Sequence, residues 1–352
     1  MDVDALAARA RAEMEPSAWD YCAGGSDDEV TLGENVAAWR RMPLYPRVLR
    51  DVSIVDTSVE VLGVTSDLPF FVAPMAFQRL AHDDGEAGMA RAAARAGTLM
   101  VVSTFATTSL EDVAAAASEA PRWFQLYAHA DRGLTADLVS RAEAAGYRAI
   151  VLTVDAQVLG KRRRDEANRF ALPEGLVPAN LGREMSGGDG TGSALHADFA
   201  AAMDTTLSFD DLEWLAGLSD LPVVVKGVLR ADDAAACVDH GVAAIAVSNH
   251  GGRQLDGAVA TADALGPIVD AVGGRAPVLV DGGIRGGSDV VRALALGASA
   301  VMIGRPLLWG LAVGGEDGAL GVLEELAVET RSAMALCGAR SVAEIDRSLL
   351  SG

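Results

Sequence analysis

The chain has 352 residues, about half of them apolar, and a formal net charge of −20. That length accommodates one large barrel or two ordinary domains with a sizeable core, and the acidic balance argues against a nucleic-acid or anionic-membrane partner, because phosphate surfaces reward net Lys and Arg. Three cysteines, Cys22, Cys237 and Cys337, are too scattered and odd in number for a disulfide framework or a zinc site, which fits a reducing cytoplasm.

The stretch from Met1 to Met14 mixes Asp2, Asp4 and Glu13 with arginines and lacks the apolar centre of a secretory signal. No apolar run reaches membrane-spanning length. Residues 1–65 precede the repeating part of the chain and are expected to pack against it as helices. Short apolar runs then recur at Phe70 to Ala73, Leu99 to Val102, Trp123 to Leu126, Ala149 to Leu152, Val223 to Val225, Ala244 to Val247, Val278 to Val280 and Ala300 to Ile303. Most gaps hold an alanine-rich amphipathic stretch that reads as helix, as at Glu86 to Ala96, Ala136 to Ala145, Asp232 to Val238 and Ser288 to Leu296. This alternation predicts α/β architecture of the (β/α)8 TIM-barrel type, with an N-terminal helical extension over 1–65 and a long fourth βα loop, all in a single domain spanning 1–352. A doubly wound sheet is the rival fold, disfavoured because no G-x-G-x-x-G follows the first strand. The long loop covers 156–207, and its glycine-rich centre, Ser186 to Ser193, is read as either a lid or a spacer.

Active sites of such barrels gather at the C-terminal ends of the strands. Here those ends deliver Ala73-Pro74-Met75-Ala76, Ser103-Thr104-Phe105, Gln125-Leu126-Tyr127, Thr153-Val154-Asp155, Lys226-Gly227, Ser248-Asn249-His250, Asp281-Gly282-Gly283 and Gly304-Arg305. Singly, each could be a plain strand terminus; as a set they line one mouth with polar groups. His250 offers a base near neutral pH, and Arg253 a planar fork for a carboxylate. The glycine-rich segment from Asp281 to Gly287 and the run from Ile303 to Pro306 stand where such barrels bind phosphate, with Arg285 and Arg305 adding charge. Metal chemistry finds no support, since His82, His129, His196, His240 and His250 show no ligand spacing.

These residues resemble the FMN-dependent 2-hydroxy acid oxidases and dehydrogenases, a family with glycolate, lactate and mandelate enzymes. The likeness covers almost the whole chain: Trp19-Asp-Tyr21, Ala23-Gly-Gly25, Ala73-Pro74, Phe124-Gln-Leu-Tyr127, Leu152-Thr-Val-Asp155, Gly160-Lys-Arg162, Val225-Lys-Gly227, Ser248 to Asp256, Asp281-Gly-Gly283 and Ile303-Gly-Arg-Pro306. The string from Ser248 to Asp256 is the most specific, and the glycine pairs alone would be weak.

The resemblance implies FMN as cofactor, a small anionic (S)-2-hydroxy acid as substrate, oxygen as acceptor giving hydrogen peroxide, and a homotetramer. By motif, His250 resembles the active-site base and Asp155 the carboxylate that stabilises its imidazolium form and raises its basicity. Arg162 and Arg253 would hold the substrate carboxylate, with Tyr21 reaching it and Tyr127 near the substrate hydroxyl. Lys226 would face the flavin N(1) and O(2) edge. Ser103, Gln125, Thr153 and Ser248 match flavin contacts, and Ala73, Pro74 and Ala76 border the ring. Asp281, Gly283, Arg285, Gly304 and Arg305 match the ribityl-phosphate end. Lys161, Arg163 and Arg164 are read as a solvated charge run.

Phe105 stands where glycolate-type members of the family commonly carry Trp. With its neighbours it is more similar to bacterial mandelate and hydroxymandelate oxidases, which implies a larger, aromatic substrate side chain. The membrane-bound dehydrogenases of the family place an apolar segment in the fourth loop; here it is polar, so a soluble oxidase is expected. The alternatives are a dehydrogenase using another acceptor, a non-redox FMN barrel such as an isomerase of a phosphorylated substrate, and a binding barrel without flavin. Whether the substrate α-hydrogen leaves as hydride or proton stays open.

Overall fold

The computed structural model describes residues 1–182, 199 and 201–350. The chain opens with α1 (Val3–Glu13), α2 (Pro16–Ala23) and α3 (Val30–Arg40). Asp2 caps α1 by accepting the Ala5 N–H at 2.9 Å, and Pro16 starts α2 where the missing N–H costs nothing. The expectation of helices throughout 1–65 needs correction. Residues 59–66 form an antiparallel hairpin, β1 (Val59–Val61) and β2 (Val64–Ser66). Val61 and Val64 pack with Phe71, Leu99 and Trp123 inside the barrel, so the hairpin keeps water from its apolar floor.

The barrel strands are β3 (Phe70–Val72), β4 (Met100–Ser103), β5 (Arg122–Leu126), β6 (Ile150–Thr153), β7 (Val223–Val228), β8 (Ala244–Val247), β9 (Val278–Val280) and β10 (Ala300–Ile303). They pair in parallel in chain order, and β10 closes on β3 with Val301 opposite Phe70. Parallel strands covered on both faces need apolar side chains on both, which explains why each reads as a continuous apolar run. Phe71, Val101, Trp123, Val151, Val224, Ala246, Leu279 and Met302 fill the interior, while Phe70, Val102, Phe124, Leu152 and Val225 join the outer cluster under the helices.

Those helices are α4 (Gly85–Arg95), α5 (Leu110–Ala116), α6 (Arg132–Ala144), α7 (Arg163–Ala167), α8 (Asp210–Ala216), α9 (Ala231–Asp239), α10 (Thr261–Val272), α11 (Gly287–Leu296) and α12 (Arg305–Leu336), the last interrupted at Gly314 and Gly315. The long loop carries α7. Its glycine-rich centre, Ser186 to Ser193, read as either a lid or a spacer, and His196 lie outside the described residues. The basic run that leads into α7 is exposed but paired: Arg163 pairs with Asp28, Arg164 with Asp20 at 3.4 Å and with Glu29, and Lys161 with Glu166 at 3.7 Å. Acidic residues of the N-terminal extension thus hold α7 over the barrel mouth. Among the described residues, no helix is long and apolar enough to cross a membrane.

Candidate active site

β8 ends under a backbone that turns into the left-handed region at His250, with φ 58°, and stays there through Gly251 and Gly252. At Gly252 a Cβ would stand 2.7 Å from Leu32 Cα, so the close approach of α3 requires glycine there. The turn aims the imidazole inward. His250 Nδ1 lies 2.9 Å from Asp155 Oδ1 at the end of β6, and Nε2 lies 3.4 Å from the Tyr127 hydroxyl. An ionised carboxylate only accepts, so Nδ1 carries the proton and Nε2 presents its lone pair to the cavity.

Burial pushes His250 below its ordinary value, and the opposing pull of Asp155 does not overcome it. Asp155 does pull the histidine towards higher basicity, as expected from the pairing, but burial is the larger effect. Asp155 is itself penalised by burial, yet His250 and Lys226 hold it below the usual carboxylate range. The pair therefore rests as a neutral imidazole beside a carboxylate, a base ready to accept one proton and balance the charge.

Lys226 is buried at the end of β7. It donates to Ser248 Oγ at 2.8 Å and meets Asp281 Oδ2 at 3.1 Å. Burial disfavours its charge, but Asp281 and Asp155 outweigh that and raise it, so it stays cationic. Beside it, Ser103 Oγ donates to Gln125 Oε1 at 3.1 Å and Gln125 Nε2 to Thr153 Oγ1 at 3.0 Å. Three adjacent strand ends thus share one polar chain.

Charge balance defines the rest. In a chain of net charge −20, the cavity collects Arg162, Arg253, Arg285 and Arg305. Among the described residues only Arg162 forms an ion pair, with Asp165 at 3.9 Å, and none forms at the other three. Arg253 Nη1 donates to the Tyr21 and Gly24 carbonyls at 2.6 and 3.0 Å, and its guanidinium lies 4.9 Å from the Tyr21 ring centre. Arg305 donates to the carbonyls of Cys22, Gly251 and Gly24. Arg285 lies over the Trp309 ring. Burial lowers Arg285 and, with repulsion from Arg253, Arg162, each to about 10; burial with Arg253 and Arg285 nearby lowers Arg305 strongly. Buried cations without counter-ions are costly, and bound anions relieve that cost.

The apolar side of the cavity is aromatic. Phe105 packs against Tyr127, Phe199 and Phe77 with ring centres 5.4, 5.6 and 6.0 Å apart, and Tyr21 stacks on Phe170 at 4.6 Å.

Of the residues singled out in the sequence, Tyr21, Ala73, Pro74, Ala76, Ser103, Phe105, Gln125, Tyr127, Thr153, Arg162, Lys226, His250, Arg253, Asp281, Gly283, Arg285, Gly304 and Arg305 line this one cavity. Asp155 and Ser248 stand behind it. The Ser248 hydroxyl is taken by Lys226 and by the His250 N–H at 3.0 Å, so it acts on the cavity through them. Phe77, Leu159 and Phe199 line the cavity without having been anticipated. Phe77 and Leu159 arrive on loops, where no periodicity marks them.

The site fits FMN. Gly282 and Gly283, with φ 90° and 82°, pass close to α3, and Gly283 has no room for a Cβ against the Asn35 carbonyl. The start of α12 at Arg305 faces the same end, where an N-terminus favours phosphate. Asp281 Oδ1 and Arg162 Nε are buried without a partner, as expected of groups waiting for polar ligand atoms.

A family model described as FMN-dependent dehydrogenase matches residues 10–352. The L-lactate oxidase of Nostoc sp. is 54% identical over 97% of this chain and 95% of its own length. The human 2-hydroxyacid oxidase 1 is 48% identical over 97% and 94%. A crystal structure of mandelate oxidase with (S)-4-hydroxymandelic acid superposes with a TM-score of 0.91 at 45% identity, covering 97% of this chain and 96% of that one. Site and comparisons agree: the chain belongs to the FMN-dependent dehydrogenase family.

Proposed function

We propose that this protein is an oxidase of a small (S)-2-hydroxy acid with an apolar side chain, producing the 2-oxo acid and hydrogen peroxide. The observation that carries this reading is a half-buried base, His250, set among four arginines of which only Arg162 forms an ion pair among the described residues. Arg162 and Arg253 bind the substrate carboxylate and so orient its α-carbon. Tyr127 meets the hydroxyl side, and His250 Nε2 removes a substrate proton, which Asp155 balances. When bound there, FMN would supply the acceptor for the substrate's two electrons and its second hydrogen, and the route by which they reach oxygen. Lys226 provides a fixed positive charge for that group, and Arg285, Arg305 and the Gly283 backbone hold its phosphate.

The aromatic wall of Phe77, Phe105 and Tyr127 favours a mandelate-like side chain. A second reading, a small side chain such as that of lactate, draws on Phe199, whose ring sits 5.3 Å from Tyr127 and 5.6 Å from Phe105 and takes up space there. Anaerobic mixing with glycolate, lactate and mandelate, followed by admission of oxygen, decides: flavin bleaching ranks the acids, and rapid recovery with peroxide identifies an oxidase. Recovery only with an added dye would point to a dehydrogenase, and no bleaching by any 2-hydroxy acid to an isomerase.

The three buried free cysteines support a cytoplasmic setting. Exposed Val48, Leu49 and Ile54 support a homotetramer, which light scattering of the purified protein tests.

A further inference from the structure

Glu86 lies in the first turn of α4 and is fully buried, at 0% exposure. Its Oε1 accepts the backbone N–H groups of Gln78 at 2.9 Å and Thr107 at 2.8 Å, and Oε2 accepts the hydroxyls of Thr107 at 2.7 Å and Thr108 at 3.0 Å. All four donors are neutral. A buried carboxylate is tolerated only where such donors replace its water, so this one keeps them in a tight geometry.

The donors come from two loops. Gln78 directly follows Phe77 in the loop after β3, while Thr107 and Thr108 follow Phe105 in the loop after β4. Phe77 holds a left-handed backbone with φ 53°, a conformation that persists for a bulky residue only where its surroundings impose it. The loops meet again where the Phe77 N–H donates to the Phe105 carbonyl at 3.0 Å and the Arg79 N–H to Thr107 Oγ1 at 3.3 Å. Both phenyl rings line the cavity, with centres 6.0 Å apart.

We infer that Glu86 is a positioning residue that sets the spacing of Phe77 and Phe105 and, through them, the size of substrate side chain that the site accepts. The inference rests on the 2-hydroxy acid reading above. Glu86 is not part of the cavity lining, so its influence runs entirely through those rings. A ring-bearing acid depends on a close-packed wall for its apolar burial, whereas a methyl-bearing acid touches little of it.

The test uses the FMN-loaded full chain as wild type, Glu86→Ala, Glu86→Gln and the milder Thr107→Val, with kcat and KM measured for (S)-mandelate and L-lactate. The flavin absorbance spectrum checks that the cofactor site is intact. Glu86→Ala should raise KM for mandelate about tenfold while kcat on lactate stays within about twofold. Thr107→Val should move in the same direction by less. Glu86→Gln should restore the wild-type ratio, because its oxygen still accepts both N–H groups and the threonine hydroxyls can turn to accept from its amide. An unchanged mandelate-to-lactate ratio in Thr107→Val and in Glu86→Ala overturns the inference, and Thr107→Val decides alone where the alanine variant does not fold. Flavin bleaching by no 2-hydroxy acid, glycolate included, overturns the 2-hydroxy acid reading and the inference with it; wild-type turnover of glycolate alone, or of both acids with an unaltered ratio in the variants, overturns the inference alone.

Discussion

His250 Nδ1 sits 2.9 Å from Asp155 Oδ1, and burial still keeps the imidazole below its ordinary value. The carboxylate selects the tautomer and balances the charge once formed, while burial, with Lys226 and Arg162 nearby, keeps the resting base neutral. Replacing His250 with Gln should leave FMN bound and slow anaerobic flavin reduction by at least about a hundredfold, the scale of general-base loss. Near wild-type reduction in that variant would remove His250 from the role.

The same pair fixes a pH dependence. The unprotonated imidazole is the active form, so kcat/KM should fall on the acid side, with its midpoint below the ordinary imidazole value of about 6.5. Asp155 opposes the downward shift. Asp155→Asn should therefore slow flavin reduction less than His250→Gln does and move the acid limb to still lower pH. A limb that moves upward would show that the carboxylate does not stabilise the imidazolium.

Lys226 keeps its charge because Asp281 and Asp155 outweigh burial. Lys226→Met should weaken flavin reduction and sulfite adduct formation, since both place negative charge on the flavin, with little change in substrate KM. Stopped-flow reduction and a sulfite titration of the holoenzyme measure the two effects. A variant that binds sulfite as tightly as the wild type would argue against a cation at that edge.

Arg253 spends Nη1 on the Tyr21 and Gly24 carbonyls, leaving the rest of its fork for a ligand. A lysine cannot keep that tether and present a planar pair of donors as well. Arg253→Lys should raise KM by roughly ten- to a hundredfold, the loss of about 1.5 to 3 kcal/mol for a hydrogen bond to a charged group. Steady-state kinetics of this variant beside Lys226→Met should give contrasting defects, in KM for one and in flavin reduction for the other; identical defects would merge the two roles.

Phe105 packs among Phe77, Tyr127 and Phe199, so an indole there must take its extra volume from the cavity. Phe105→Trp should cut kcat/KM for mandelate more than for lactate or glycolate, by about tenfold if the ring loses 1 to 2 kcal/mol of apolar burial. Equal losses on all three acids would show that Phe105 does not limit substrate size.

The sequence by itself determined the barrel. Strands such as Val278–Val280 and Ala244–Val247 are buried on both faces, so their apolar runs are continuous and need no tertiary information to be recognised. The polar residues that end those strands were legible for the same reason, because a strand end in a closed parallel barrel has only one mouth to face. Tertiary structure alone decided what loops and distances decide. The β1–β2 hairpin plugs the floor because Val61 and Val64 find Phe71 and Trp123 there, a contact with no local signature. Arg163 and Arg164 lie within a basic run, and only the fold brings Asp28, Asp20 and Glu29 to them. Phe77 and Leu159 reach the cavity on irregular backbone, where no period applies. The resting state of His250 was likewise beyond the sequence: a neighbouring carboxylate raises its basicity and burial lowers it, and the balance depends on how much water the fold removes.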